Sequence, residues 1–174
     1  MSSDDLLHIG DVVYLGESSM SASLAPSAVL LSQGWSDTSV VVEASRDSAI
    51  PREGLFRLRA QQNYAAEVKL SAALSRMNKT RMEARGDDSF AHLFKEREKE
   101  KRNNLQEFEM AKGREIRYGM VIQLQHVISD NYLRVSRQSA EQTRDSWRVE
   151  IYRDAAESGW FRIMPRLRVH SEGD

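Results

Sequence analysis

One short pattern occurs twice in this chain. Gly10-Asp-Val-Val-Tyr-Leu15 stands near its start and Gly119-Met-Val-Ile-Gln-Leu124 past its middle, both reading Gly-x-Val-[Val/Ile]-x-Leu. A second echo follows each: Gly54-Leu-Phe-Arg-Leu58 after the first, Gly159-Trp-Phe-Arg-Ile163 after the second. Gly10 and Phe56 are 46 residues apart, and Gly119 and Phe161 are 42 apart. A unit of about 45 residues therefore occurs twice, opening on one strand signature and closing on another, and self-similarity of this kind ranks above local propensity as a guide to fold.

A β repeat of this length that cannot bury its own face suggests a β-trefoil, which has three such units, or a propeller blade. The closing run lacks a Trp-Asp signature, which weighs against the propeller. A third repeat has to begin near Pro165, so the trefoil reading expects the third lobe to be truncated in these 174 residues.

The second opening signature continues into the richest β stretch. Residues Arg114 to Val135 alternate, and Ser129-Asp130-Asn131 forms a polar turn between Val121-Leu124 and Tyr132-Val135. This reads as a β-hairpin with a four-residue loop rather than a two-residue one. Elsewhere, Leu6 to Leu15 reads as the first strand, Val29 to Leu31 as a short apolar run, Val40 to Val42 as a buried-type strand and Leu55 to Arg59 as the close of the first repeat. Gln138 to Ser146 reads as a polar loop, and Trp147 to Tyr152 alternates as a strand with Arg148 toward solvent.

Between about Asn63 and Gly113 the strand signals vanish. Tyr64, Val68, Leu70, Leu74 and Met77 recur at helical spacings, and alanines at 65, 66, 72 and 73 favour the same state. Gly86-Asp-Asp-Ser89 breaks the pattern, with Asp88 or Ser89 as N-cap of a second helix. That helix carries Phe90, Leu93 and Phe94 on one face, a fully charged middle from Lys95 to Arg102, Leu105 and Phe108 beyond it, and Gly113 as its stop. The charged middle predicts a helix that runs through solvent or reaches a partner. All six lysines lie in this segment. The expected organisation is one incomplete β-trefoil-type domain over 1–174, with 63–113 a helix-turn-helix arm inserted between the two repeats.

Composition narrows the function classes. Twenty-five basic against 26 acidic residues give a net charge of −1, unlike a nucleic-acid binder. There is no cysteine, hence no disulfide and no thiolate metal site. Met-Ser-Ser-Asp-Asp opens the chain without a signal peptide's apolar core, and no run approaches 18 apolar residues. His8, His92, His126 and His170 show no metal-ligand spacing, and structural roles are the expectation for His92 and His126. No Gly-x-Gly-x-x-Gly, P-loop or nucleophile elbow occurs, so the chain reads as non-enzymatic and free of cofactors. Arginines 144, 148, 153, 162, 166 and 168 are the one anion-facing set the sequence offers, against solvated positions on strands and loops.

Four stretches resemble a known family. They are Leu7-His-Ile-Gly-Asp11; Leu55-Phe-Arg-Leu58 with Asn63-Tyr64; Ile116 to His126 with Tyr132-Leu-Arg-Val135; and Gly159-Trp-Phe-Arg-Ile-Met-Pro165 with Ser171, Gly173 and Asp174. Their order and spacing are similar to the N-terminal suppressor domain of inositol trisphosphate receptors, calcium-release channels related to ryanodine receptors. The resemblance implies a β-trefoil with a helical arm that does not itself hold inositol trisphosphate. It implies a domain that lowers ligand affinity and relays ligand-induced movement to the pore. Its partners are the downstream inositol-trisphosphate-binding core of the same polypeptide and neighbouring subunits of a tetramer, at the cytosolic face of the endoplasmic reticulum or another calcium store. No nucleic-acid or membrane contact is implied for this stretch.

Departures from the family pattern nominate residues. Where the family shows Leu-Val-Asp-Asp-Arg after a glycine matching Gly34, this chain has Trp35-Ser-Asp-Thr-Ser39, keeping Asp37 and losing the arginine. A coupling aromatic of the family aligns with Leu167. Trp35, Asp37 and Leu167 are thus the candidates for contact between domains or subunits, with Trp35 packing under its own loop as the alternative. The competing readings of the whole are a stand-alone β-trefoil module for proteins or sugars and a ryanodine-receptor-like N-terminal domain.

Overall fold

The structure is a computed structural model that describes residues 6–16, 28–32, 38–44, 50–79, 88–140, 145–153 and 156–165. It divides into two compact units, one formed by residues 1–61 and 112–174 and one by 62–111.

The first unit is antiparallel β. Strands β1 (Val12–Tyr14), β4 (Leu55–Ala60), β5 (Val121–His126), β6 (Tyr132–Ser139) and β7 (Trp147–Tyr152) follow one another across a six-stranded sheet, and β8 (Phe161–Arg162) also pairs with β5. Strands β2 (Ala28–Ser32) and β3 (Val40–Ala44) form a separate two-stranded ribbon, from Ala28 opposite Ala44 to Ser32 opposite Val40. Its core is built from Ile9, Val29, Phe56, Leu58, Ile122, Leu124, Leu133 and Ile151, all buried.

The sequence repeat is a repeat of hydrogen bonds. Val12 lies opposite Arg57 and Val13 opposite Phe56 in the first copy; Val121 lies opposite Arg162 and Ile122 opposite Phe161 in the second. The Gly10 amide donates to the Leu58 carbonyl and the Gly119 amide to that of Ile163, each at 2.8 Å. Both opening glycines take positive φ, +100° and +88°, a conformation other residues adopt only with strain. Both closing glycines end a short 3-10 turn, Arg52–Gly54 and Glu157–Gly159, and both are buried where a side chain has no room.

Positive φ at the opening glycines also limits the strands. The first strand is shorter than the alternation from Leu6 to Leu15 predicts, and Ile116 and Tyr118 are not in a strand, because the backbone turns at Gly10 and Gly119. Residues 7–9 instead line the returning chain. Ile9 donates to the Arg114 carbonyl at 2.9 Å, Gly113 to that of Ile9 at 2.8 Å and Ile116 to that of Leu7 at 2.8 Å. The hairpin turn is as expected: His126 receives Asp130's amide at 2.9 Å and donates its own to the Asn131 carbonyl at 2.7 Å, enclosing four residues.

Three other strand expectations need correcting. Val40 to Val42 is a strand but not a buried one, since Val40 and Val41 are half-buried and Val42 is 67% exposed. The polar stretch after Gln138 is not loop from its start, because β6 runs to Ser139 and pairs it with Trp147. Arg148 is half-buried rather than turned fully to solvent.

The second unit is a helix pair, α1 (Ala65–Lys79) and α2 (Asp88–Ala111). Tyr64, Ala66 and Leu70 of the first helical stretch and Phe108 of the second are buried. Val68, Phe94 and Leu105, expected on the apolar faces, are about half exposed. On α2 the inward positions are held by Arg97, Glu100 and Asn104 ahead of Phe108, at spacings of three and four residues that keep one helical face. The charged middle is therefore not wholly a solvent-running surface.

Candidate functional site

The three positions nominated by sequence, Trp35, Asp37 and Leu167, lie outside the described residues, as do Arg144, Arg166 and Arg168. The flank that follows Asp37 is described. The Thr38 carbonyl accepts the Ile151 amide at 2.9 Å, and Ser39 bridges antiparallel to Glu150. The end of the β2–β3 ribbon that leads into residues 33–37 is thus tied to β7, a strand of the other repeat.

At that junction sits a charged cluster that the sequence reading did not single out. Arg134 on β6 lies directly opposite Glu150 on β7, and Tyr132 opposite Tyr152. Arg134 Nε and Nη2 both donate to Glu150 Oε1, at 2.8 and 2.6 Å. The guanidinium carbon also stands 3.5 Å from the centroid of the Tyr152 ring, reached diagonally across the strand pair. Glu150 is 13% exposed and Arg134 25%, so the pair is screened less than a surface ion pair. The readable signal was the opposition of a basic and an acidic residue on consecutive alternating strands, which requires the register to be known.

A second polar site pins the hairpin turn. His126 is fully buried against Phe56, with ring centroids 5.6 Å apart. Its Nδ1 lies 2.8 Å from Ser129 Oγ and its Nε2 3.2 Å from the Glu53 carbonyl. The carbonyl can only accept, so Nε2 carries the proton and Nδ1 accepts from the serine hydroxyl. Burial pushes the imidazole below its ordinary pKa, outweighing the Glu53 carbonyl and the nearby Glu53 and Asp130 charges that pull it up. This is the structural role expected of His126. It joins the β5–β6 turn to the 3-10 turn before β4.

The helix pair has a clamp of its own. Asn104 on α2 donates through Nδ2 to the Asn63 carbonyl at 2.8 Å and accepts the Asn63 amide at 3.0 Å. Glu100 receives the first free amides of α1, Ala66 at 2.8 Å and Glu67 at 3.2 Å. A carboxylate there satisfies orphan donors and faces the positive end of the helix dipole. Arg97 pairs with Glu67. His92, expected to be structural, is exposed and stands 3.7 Å from Glu96.

Among the described residues no group of three His, Cys, Asp or Glu side chains could hold a metal ion. No helix there is long and apolar enough to cross a membrane. Of the described arginines in the anion-facing set, Arg162 donates to the Gly119 carbonyl at 3.3 Å, which ties it to the backbone of its own repeat. What the described residues bring together here is a polar junction between two repeats beside a ribbon.

Residues 2–174 match the protein-family profile described as inositol 1,4,5-trisphosphate/ryanodine receptor. The chain is 32% identical over 174 residues to the inositol 1,4,5-trisphosphate receptor itr-1 of Caenorhabditis elegans, a match that covers 97% of this chain and 6% of that protein. With its twice-used β unit and its helix pair, the chain belongs to the inositol 1,4,5-trisphosphate/ryanodine receptor family.

Proposed function

We propose that this chain is the non-catalytic N-terminal regulatory domain of an inositol 1,4,5-trisphosphate-gated calcium-release channel, one that lowers ligand affinity and relays ligand binding to the pore. The observation that carries the reading is the match over residues 2–174, together with a relative of which the chain covers 6%. A stretch of that size within a receptor acts by what it touches. The partners are the ligand-binding core of the same polypeptide and neighbouring subunits of a tetramer, at the cytosolic face of the endoplasmic reticulum or another calcium store. Trp35, Asp37 and Leu167 are the proposed contact residues.

The proposed fold is a β-trefoil with residues 63–113 inserted as a helical arm between the first and second repeats. Its support is the shared register of β1 with β4 and β5 with β8. A trefoil takes three such units, and this reading places the third outside the two described here.

Equilibrium binding of labelled inositol trisphosphate to the longer parent polypeptide, with and without residues 1–174, tests the role. Tighter binding after deletion is the expected result. Unchanged binding removes the suppressor role, and absence of binding to either form moves the reading to a ryanodine-receptor-like domain or a stand-alone module.

A further inference from the structure

The β2–β3 ribbon is held at two places of different kinds. Near its open end, Leu30 donates to the Leu15 carbonyl at 2.9 Å and Val29 bridges to Gly16, both within the first repeat. Near its turn end, the attachments are Thr38 with Ile151 and Ser39 with Glu150, and these cross to the second repeat. A two-stranded ribbon is marginal by itself, so the position of its turn end depends on what it is anchored to.

That anchor is β7 at Glu150 and Ile151. The two residues point to opposite faces of the strand, Ile151 fully buried in the core and Glu150 toward Arg134. A carboxylate only 13% exposed is held in place by its counter-ion, and the guanidinium is held in turn by the Tyr152 ring. Removal of one partner leaves a half-buried charge that must swing to water, and the backbone that carries it is the backbone that meets Ser39.

We propose that Arg134, Glu150 and Tyr152 are positioning residues that set how Thr38 and Ser39, at the start of β3, are held against β7, and that the degree of suppression depends on this ion pair. The proposal rests on the regulatory reading above. It assigns a role to a junction between the two repeats.

The test is labelled inositol trisphosphate binding to the full parent receptor in five forms: unchanged, lacking residues 1–174, Arg134→Ala, Glu150→Gln, and the double reversal Arg134→Glu with Glu150→Arg. Deletion is expected to tighten binding, and either single substitution at the ion pair to tighten it several-fold in the same direction, within the roughly 5- to 150-fold span of couplings between sites. The double reversal restores the unchanged affinity. Loosening caused by lost side-chain packing at either position would not be rescued by the reversal. If deletion tightens binding but neither single substitution does, or the reversal does not restore it, the positioning role is overturned while the regulatory reading stands. If deletion itself changes nothing, both fall together.

Discussion

Asn104 holds Asn63 as one peptide group holds another. Its amide nitrogen reaches the Asn63 carbonyl at 2.8 Å and its oxygen takes the Asn63 amide at 3.0 Å, across 41 residues of sequence. Asn63 in turn caps α1, its Oδ1 receiving the Ala65 amide at 3.0 Å. The start of one helix is therefore fixed by a buried side chain on the other.

Asn104→Ala removes both bonds and leaves a backbone donor and acceptor without them. The expected loss is about 1–3 kcal/mol, read from denaturant unfolding followed by helical circular dichroism. Asn104→Asp keeps an acceptor for the Asn63 amide but sets an oxygen against the Asn63 carbonyl, so it does not restore the stability that asparagine supplies.

Glu100→Ala opens the N-terminus of α1 by another route. The expected cost is about 1 kcal/mol, comparable to loss of a capping side chain. Because the interaction is between a carboxylate and a helix terminus, the difference between parent and variant shrinks as salt rises. Unfolding at low and high ionic strength checks this.

His126 makes stability fall on the acid side. Burial lowers its folded-state pKa below the 6.5 of the free side chain. As pH falls through about 6.5 the unfolded chain takes up a proton that the folded chain resists, and stability declines until the folded-state value is passed. Above that range the term is absent. His126→Gln, which does not titrate, is expected to be less stable than the parent at pH 8 and to lose less of its stability between pH 7 and pH 5. Equal losses in parent and variant would contradict this.

Gly159→Ala and Gly54→Ala separate two kinds of crowding. A Cβ on Gly159 stands 2.8 Å from the Leu133 carbonyl oxygen, which is backbone; one on Gly54 stands 2.8 Å from the movable Leu31 Cδ2 and 3.2 Å from the Leu30 carbonyl oxygen. Both are expected to destabilise by about 1–3 kcal/mol, with Gly159→Ala the larger. Thermal unfolding of the two variants measures the order.

The repeat was legible because its devices are local. A glycine at positive φ and a glycine with no room for a Cβ leave an invariant letter in the sequence, and the β-branched residues between them follow the period of a strand. The helix pair was legible in existence but not in its facing. Val68 and Leu105 fit an apolar period yet are exposed, while Arg97, Glu100 and Asn104 face inward because α1 presents unpaired amides and a carbonyl that only polar side chains can answer. Periodicity counts apolar letters and cannot see such a demand. Arg134 and Glu150 escaped for a related reason: their meeting depends on a pairing register that no single strand encodes. Trp35, Asp37 and Leu167 came from resemblance to a family rather than from geometry, and their positions lie outside the described residues.

Ala60 lies opposite Ile122, although residues 61–121 intervene. To the sheet, β4 and β5 are the arms of one hairpin whose loop has been replaced by a pair of helices. Closing a longer loop costs only about 0.6 kcal/mol per doubling, so the register of the arms is nearly indifferent to what the loop contains. The three backbone bonds donated by Ile9, Gly113 and Ile116 then fasten the returning chain before β5 begins. The helices are thus a passenger on a β connection. Their length enters none of the strand pairings, so the partners of β4 and β5 are set without them.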